Sequence, residues 1–229
     1  MTLHRFFVAP GEMADERFPL PDAIARQVRA VLRLGDGDRI MLLPGDGSAA
    51  RCRLDGDDCV VEERSAVESE PRHRLTVVQA LLKGDALEEV VRQATEIGVD
   101  RFRLVVTERC VARDVSDRKL QRLRAIAREA AEQSERGIVP GVEPPVPLAA
   151  WVEPGAILLY ERHDGDRLSQ LDPPPSVIIG PEGGFTSAEL AQAQAAGARL
   201  AGLGPRILRS QSVAAAAASV ILSRTGDFA

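Results

Sequence analysis

Residues 176–190 read SVIIGPEGGFTSAEL: an apolar run, then three glycines and a proline, then the start of a helix. VIIG (177–180) has the length and apolarity of a short buried strand, and Thr186 with Glu189 is spaced as a capping box. The glycines therefore join a strand to a helix. Loops of that shape usually cradle phosphate on free backbone N–H groups. Here Glu182 stands in the middle and no lysine is present, which is wrong for a phosphate. A second strand and loop follow, RLAGLG (199–204) running into LGPRILRSQS (203–212). In parallel α/β sheets ligands collect at the carboxyl ends of strands, so both loops are candidates for one pocket. Glycine lets the backbone approach a flat ligand, and proline holds a loop in one shape. A carboxylate among exposed amides suits an adenosine carrying a sulfonium and does not suit a triphosphate. By spacing alone, the same strings serve equally well as two tight turns at a domain edge.

The alternation of strand and helix extends back to Leu75. LTVVQALL (75–82) reads as a buried strand, Asp85 with Glu88 as a capping box, and Leu87, Val90, Val91, Ala94 and Ile97 as one helix face that stops at Gly98. RFRLVV (101–106) and ILLY (157–160) are further strands. Ser116 opens a helix to about Glu135, with Leu120, Leu123, Ala127 and Ala130 on one side. The helix begun at Thr186 ends near Gly197, and Ser210 or Ser212 caps a last, alanine-rich helix. This order implies an α/β domain with a mainly parallel sheet. Residues 1–70 are different in kind. Short strands at 39–43, 49–54 and 59–63 are separated by PGDG (44–47) and DGDD (55–58), both turn signals, and one helix is expected over 23–34, ending at Gly35. That suggests a small β-barrel or curled sheet. Residues 62–74, charged and containing Pro71, are the expected linker, so the domains divide at 1–70 and 71–229.

The chain of 229 residues is 45% hydrophobic, enough for one large domain or two modest ones. It has no long apolar run and no basic-then-apolar leader, and it reads as soluble and cytoplasmic. Cys52, Cys59 and Cys110 are odd in number and not closely paired, and His4, His73 and His163 match no metal spacing, so neither a disulfide framework nor a metal is expected. A net charge of −5 argues against indiscriminate nucleic-acid binding but leaves room for a local basic face. Arg118, Lys119, Arg122 and Arg128 could form such a stripe, no acidic residue standing between Arg118 and Arg128; the alternative is a solvated helix face.

VIIGPEGGFTSAEL followed by LGPRILRSQSVAAAAA resembles the signature of the RsmE family, uridine-N3 methyltransferases of 16S ribosomal RNA in the SPOUT class. The resemblance covers most of the chain. RFFV (5–8), VLRLGDGDRI (31–40), LLKGDALEEVVRQATEIGVDRF (81–102), TERC (107–110) and AREAAEQSERGIVP (127–140) are similar to the family's other segments. It implies a C-terminal domain with a deep trefoil knot that binds S-adenosylmethionine (SAM), an N-terminal PUA-like RNA-binding domain, and a homodimer acting on 16S rRNA or the small subunit. Knots are otherwise nearly absent from proteins. By position, the SAM residues would be Leu159, Tyr160 and Glu161; Ile179, Gly180, Glu182 and Gly183; and Leu203, Gly204, Ile207, Leu208 and Arg209.

A sulfonium is already an activated methyl donor, so the protein's work is alignment and the handling of one proton. Loss of the N3 proton spreads charge onto O2 and O4 of uracil, and Arg209 is the candidate to stabilise it; its alternative roles are a phosphate clamp or a structural ion pair. Glu182 is the candidate base, or a ligand of the cofactor or of a backbone amide. Arg5, Arg33, Lys83, Arg109, Arg118, Arg122, Arg136, Ser210 and Ser212 are the candidate RNA contacts. Low aromatic content, 3%, points to recognition of shape and backbone. Two departures stand out. Gln211 occupies a position where the family usually has glutamate, and Arg92-Gln93 stands where it commonly has Gln-Lys. Gln211 keeps two other readings open: a SPOUT-like methyltransferase for a ribose 2′-O or another base, and a non-catalytic RNA-binding or ribosome-assembly protein.

Overall fold

Short strands and tight turns build a five-stranded sheet in the computed structural model, which describes residues 3–9, 11–13, 15–161 and 163–227. Its elements are β1 (Arg5–Phe7), β2 (Arg17–Pro19), α1 (Asp22–Arg26), β3 (Arg39–Leu43), β4 (Ser48–Asp55) and β5 (Asp58–Ala66), with strand order β1-β3-β4-β5-β2. β1 runs parallel to β3 and the other pairings are antiparallel. Phe6, Phe18, Val28, Ile40, Leu42 and Leu54 fill its core together with Cys52 and Cys59. Burial pushes these two thiols up to about 12 and about 11, so both are inert at neutral pH.

Two expectations for this region are corrected. The helix expected over 23–34 is α1 followed by a π-helical turn, Gln27–Val31, and it ends before Gly35. Arg33 takes a left-handed backbone with φ of 58°, and Leu34 N returns to Val28 O at 3.0 Å, which closes the helix early. The linker also begins later than residue 62, because β5 continues to Ala66. The charges read as a linker signal are cross-strand partners: Glu62 bonds Arg39 at 2.7 Å and Glu63 bonds Arg51 at 3.1 Å.

The rest is an α/β layer: β6 (Thr76–Ala80), α2 (Ala86–Ile97), β7 (Arg101–Val106), α3 (Asp117–Gln133), β8 (Gly141–Pro147), β9 (Ile157–Leu159), β10 (Ser176–Ile179), α4 (Ser187–Ala195), β11 (Arg199–Ala201) and α5 (Ser210–Arg224). Six strands lie in the order β11-β9-β10-β6-β7-β8, every pairing parallel. β10 and β9 are buried along their whole length, as expected of strands covered on both faces. β8 carries three prolines and is invisible to propensity; its place at the sheet edge tolerates the missing N–H groups. Gly98 ends α2 with φ of 117°. α5 packs its small side chains Ala214, Ala217 and Ala218 inward, against α2 and β10.

The chain divides into two compact units, Met1–Glu70 with Ala131–Val139, and Pro71–Ala130 with Pro140–Ala229. Residues 131–139 belong to the first unit because Glu70 holds them there. Its carboxylate accepts from Arg136 Nη2 at 2.9 Å, from Gly137 N at 2.9 Å and from Ile138 N at 3.0 Å.

Neither the Asp85–Glu88 capping box nor the serine cap of the last helix forms. Asp85 makes no side-chain cap bond; its Oδ1 accepts from Lys119 Nζ at 2.9 Å. Glu88 accepts from the same Lys119 at 2.5 Å and from Arg122 at 2.8 Å. The carboxylates of Asp85 and Glu88 are thus drawn to the cations of α3. Arg209, in extended backbone, takes the N-cap position of α5, so Ser210 is already helical. The capping box of Thr186 and Glu189 forms in full.

Hydrogen bonds from Arg122 and Lys119 hold the Glu88 carboxyl far below its ordinary range, at about 2. A depressed carboxylate stabilises the fold above its unfolded pKa, and that contribution is lost as pH falls toward the folded value. Glu88→Gln is therefore expected to lower the urea midpoint most at pH 5–7, with the gap from wild type closing between about pH 4.5 and pH 2. A gap that stays constant down to pH 2 would show that the pair contributes no proton-linked stability.

Candidate active site

Three neighbouring strands, β11, β9 and β10, end side by side, and the loops that follow them enclose a cleft of about 110 Å³. From the loop after β9 come Leu159, Tyr160 and Glu161. Ile179, Gly180 and Glu182 come from the end of β10, and Leu203, Gly204, Ile207 and Leu208 from the loop after β11. Gly183 and Arg209 do not line the cleft. Residues outside the expected set do line it: Pro181, Gly184 and Phe185 from the loop after β10, Arg206 from the loop after β11, and Ser210 and Val213 from α5. All six lie within or beside the two quoted strings. Ser210 is expected from the sequence among the RNA contacts, and Val213 is one helical turn into α5, where only folding turns it toward the loops.

Each glycine of the β10 loop has a steric reason. A Cβ on Gly180 would stand 2.9 Å from the Phe185 ring, which folds back over the loop. A Cβ on Gly183 would stand 3.1 Å from Cβ of Arg109. Gly184, with φ of 68°, closes the turn by donating to Pro181 O at 2.9 Å. Gly204, with φ of 133°, turns the β11 loop into the cleft through a conformation that other residues rarely adopt.

The β10 loop is also pinned from two other strands. Lys83 N, beyond β6, donates to Glu182 Oε1 at 3.0 Å. Arg109 Nη1, beyond β7, donates to Gly183 O at 3.0 Å. Glu108 N donates to Glu189 Oε1 at 2.8 Å, while Oε2 of the same carboxylate accepts from Thr186 N at 2.9 Å. Glu189 therefore both caps α4 and ties it to β7. The β11 loop is fixed by Tyr160 N to Ala201 O at 3.0 Å and by Leu168 N to Gly202 O at 3.0 Å. The result is a preformed cleft with Glu161 and Glu182 at the loops after β9 and β10 and Arg206 on the loop after β11.

The candidate RNA contacts scatter. Arg136 is corrected: it is 2% exposed and bonded to Glu70, so its guanidinium is closed to a phosphate. The stripe on α3 is corrected as well, because Lys119 and Arg122 are spent on Glu88. Arg5 bonds Glu135 at 2.7 Å, and Arg109 bonds the β10 loop. Arg33, Lys83 and Arg118 are exposed, and their side chains have no hydrogen bond or ion pair among the described residues. Ser210 and Ser212 lie in the first turn of α5.

A family model described as an RNA methyltransferase domain matches residues 68–222. The chain is also 34% identical to ribosomal RNA small subunit methyltransferase E of Synechocystis over 222 residues, 90% of this chain and 73% of that protein. The chain belongs to this RNA methyltransferase family. Among solved members, ribosomal RNA small subunit methyltransferase E of Neisseria gonorrhoeae, bound to S-adenosyl methionine, superposes with a TM-score of 0.89 at 27% identity, covering 97% of this chain and 98% of the other. A methyltransferase of Legionella pneumophila, in complex with SAM as bound cofactor, gives 0.85 at 27% identity, with 98% of each chain covered. The residues that line the cleft, between Leu159 and Val213, all fall within the matched region.

Proposed function

We propose that the protein transfers a methyl group from S-adenosylmethionine to N3 of a specific uridine in 16S ribosomal RNA of the small subunit. The observation that carries this reading is the cleft itself, in which the three loops singled out by the family resemblance converge at the ends of β9, β10 and β11. The fit to the cofactor rests on two features. Gly204 leaves room where a side chain would project, and the charged groups of the cleft are two carboxylates and one guanidinium, a set that favours a cationic zwitterion over a phosphate. When bound, the cofactor supplies an activated methyl group on its sulfonium.

The protein's own groups do the rest. Leu159, Ile179, Leu203, Ile207 and Leu208 supply apolar walls for a flat base, and backbone groups exposed at the glycines supply polar contacts. Lys83 N takes Oε1 of Glu182, and Oε2 has no hydrogen-bond partner among the described residues. That oxygen balances positive charge in the cleft and is the candidate acceptor for the N3 proton. Arg209 lies between Leu208 and Ser210, which both line the cleft, and its exposed guanidinium has no partner among the described residues. It is the cation available to the developing charge on O2 and O4 of uracil. Arg33, Lys83 and Arg118 are then the free cations for phosphates, and the target base leaves its stack to reach the cleft.

The same reading includes a trefoil knot in the parallel sheet, supported by β11 lying outside β9 while α5 returns to pack on α2. It includes a PUA-like role for the five-stranded N-terminal sheet, a domain division at 1–70 and 71–229, a homodimer, and a cytoplasmic location. Among the described residues no helix is long and apolar enough to cross a membrane.

The test is mass mapping of modified nucleosides in 16S rRNA from cells with and without the protein. Loss of one 3-methyluridine is expected; its persistence, or loss of a 2′-O-methyl group instead, would overturn the assignment. A calorimetric titration with SAM separates both enzymes from a non-catalytic RNA-binding protein, which would take up none.

A further inference from the structure

The cleft is electrically asymmetric. Its charged lining consists of Glu161 and Glu182 on the walls after β9 and β10, and Arg206 on the loop after β11. Glu161 leans over the β10 loop, its Oε1 lying 3.5 Å from where a Cβ on Gly184 would stand, so the two carboxylates share one wall. Glu182 is held there by Lys83 N. Arg206, on the loop after β11, is exposed, with no hydrogen bond or ion pair among the described residues. Three of its neighbours, Gly204, Ile207 and Leu208, line the cleft with it.

A lining of two anions and one cation is the inverse of the charge set of S-adenosylmethionine, which carries a sulfonium, an ammonium and one carboxylate. On the reading of the cleft as a SAM site, we infer that Arg206 is the specificity-determining residue that receives the α-carboxylate of the cofactor, leaving Glu161 and Glu182 to its positive end. A guanidinium pairs with a carboxylate through two parallel N–H donors, a geometry lysine cannot reproduce. The residues expected from the sequence include Arg209 and not Arg206, three residues before it. The structure separates them: Arg206 lines the cleft, and Arg209 is the N-cap of α5 outside it. A rival cation exists in Arg167, whose Nη1 lies 3.9 Å from where a Cβ on Gly204 would stand.

The experiment is calorimetric titration of wild type, Arg206→Ala, Arg206→Lys and Arg167→Ala with SAM and with decarboxylated SAM, which keeps both positive charges and lacks only the carboxylate. For wild type, SAM is expected to bind more tightly than its decarboxylated form. In Arg206→Ala, SAM is expected to weaken about tenfold or more while decarboxylated SAM stays within about twofold. Arg206→Lys should recover part of the loss. Binding of the decarboxylated ligand also certifies that the variant is folded. Equal loss for both ligands, no loss for either, or a carboxylate-dependent loss confined to Arg167→Ala would overturn the assignment. Wild-type protein that binds neither ligand would overturn the cofactor reading itself, and Arg206's role with it.

Discussion

Replacing Arg136 with alanine is expected to lower the unfolding free energy by roughly 3–5 kcal/mol, because it leaves a buried carboxylate without its cation. Arg136 is 2% exposed, and Glu70 is nearly as deep, its side chain 12% exposed. The Glu70 carboxylate accepts from two guanidinium nitrogens and from Gly137 N and Ile138 N, so one charge organises a whole turn. Isolated surface pairs are worth a fraction of this; burial is what raises the cost. Arg136→Lys keeps the charge but not the fork, and should lie between the two. Removing both charges together, as Glu70→Gln with Arg136→Met, should recover part of the loss, since no uncompensated ion remains. Urea unfolding followed by circular dichroism reads all of these. A midpoint for Arg136→Ala equal to that of wild type would show that the pair is solvated and contributes little.

Arg209→Ala is expected to reduce kcat by about 10²–10³-fold, the usual consequence of removing one group that stabilises charge in a transition state. The affinity for SAM should change only a few-fold, because Arg209 stands outside the cleft that its neighbours Leu208 and Ser210 line. A guanidinium without a partner among the described residues has its charge available for a substrate anion. Neutral uracil needs no such cation; its N3 anion does. The loss should accordingly appear in kcat more than in either KM, and Arg209→Lys should restore part of it. Steady-state rates with small-subunit particles, together with calorimetry for SAM, decide the matter. Equal losses in turnover and in cofactor affinity would place Arg209 in cofactor binding instead. Read beside the Arg206 titrations, the two arginines of LGPRILR are expected to divide the work, one on the cofactor and one on the base.

Much of this was legible in the chain. The parallel sheet follows from apolar runs too short and too uniform for exposed strands, alternating with capped or periodic helices, as at residues 75–106. The cleft follows from two glycine-rich loops after successive strands, and Glu182 within one of them already excluded a phosphate. These features are local: turns, periodicity and the Thr186–Glu189 capping box act within a few residues, so the sequence carries them directly.

What the sequence withheld depends on residues far apart meeting. Asp85 and Glu88 have the spacing of a capping box, yet Lys119 and Arg122 take both carboxylates, more than thirty residues along the chain. The same pairing takes Lys119 and Arg122 out of the expected basic stripe on α3. Arg136, in a string that resembles an RNA contact, is buried against Glu70. β8 escapes notice because its prolines are permitted only by an edge position, which topology assigns. Most of all, residue spacing could not rank Arg206 against Arg209. Which of two arginines three residues apart faces the cleft is set by the left-handed turn at Gly204 and by where α5 begins. The sequence by itself determined most of the strands and the loops between them, because those rest on local chemistry, and its resemblance to a family pointed to the class of ligand. Only the tertiary structure decided which charges are already satisfied within the protein and which remain for a substrate.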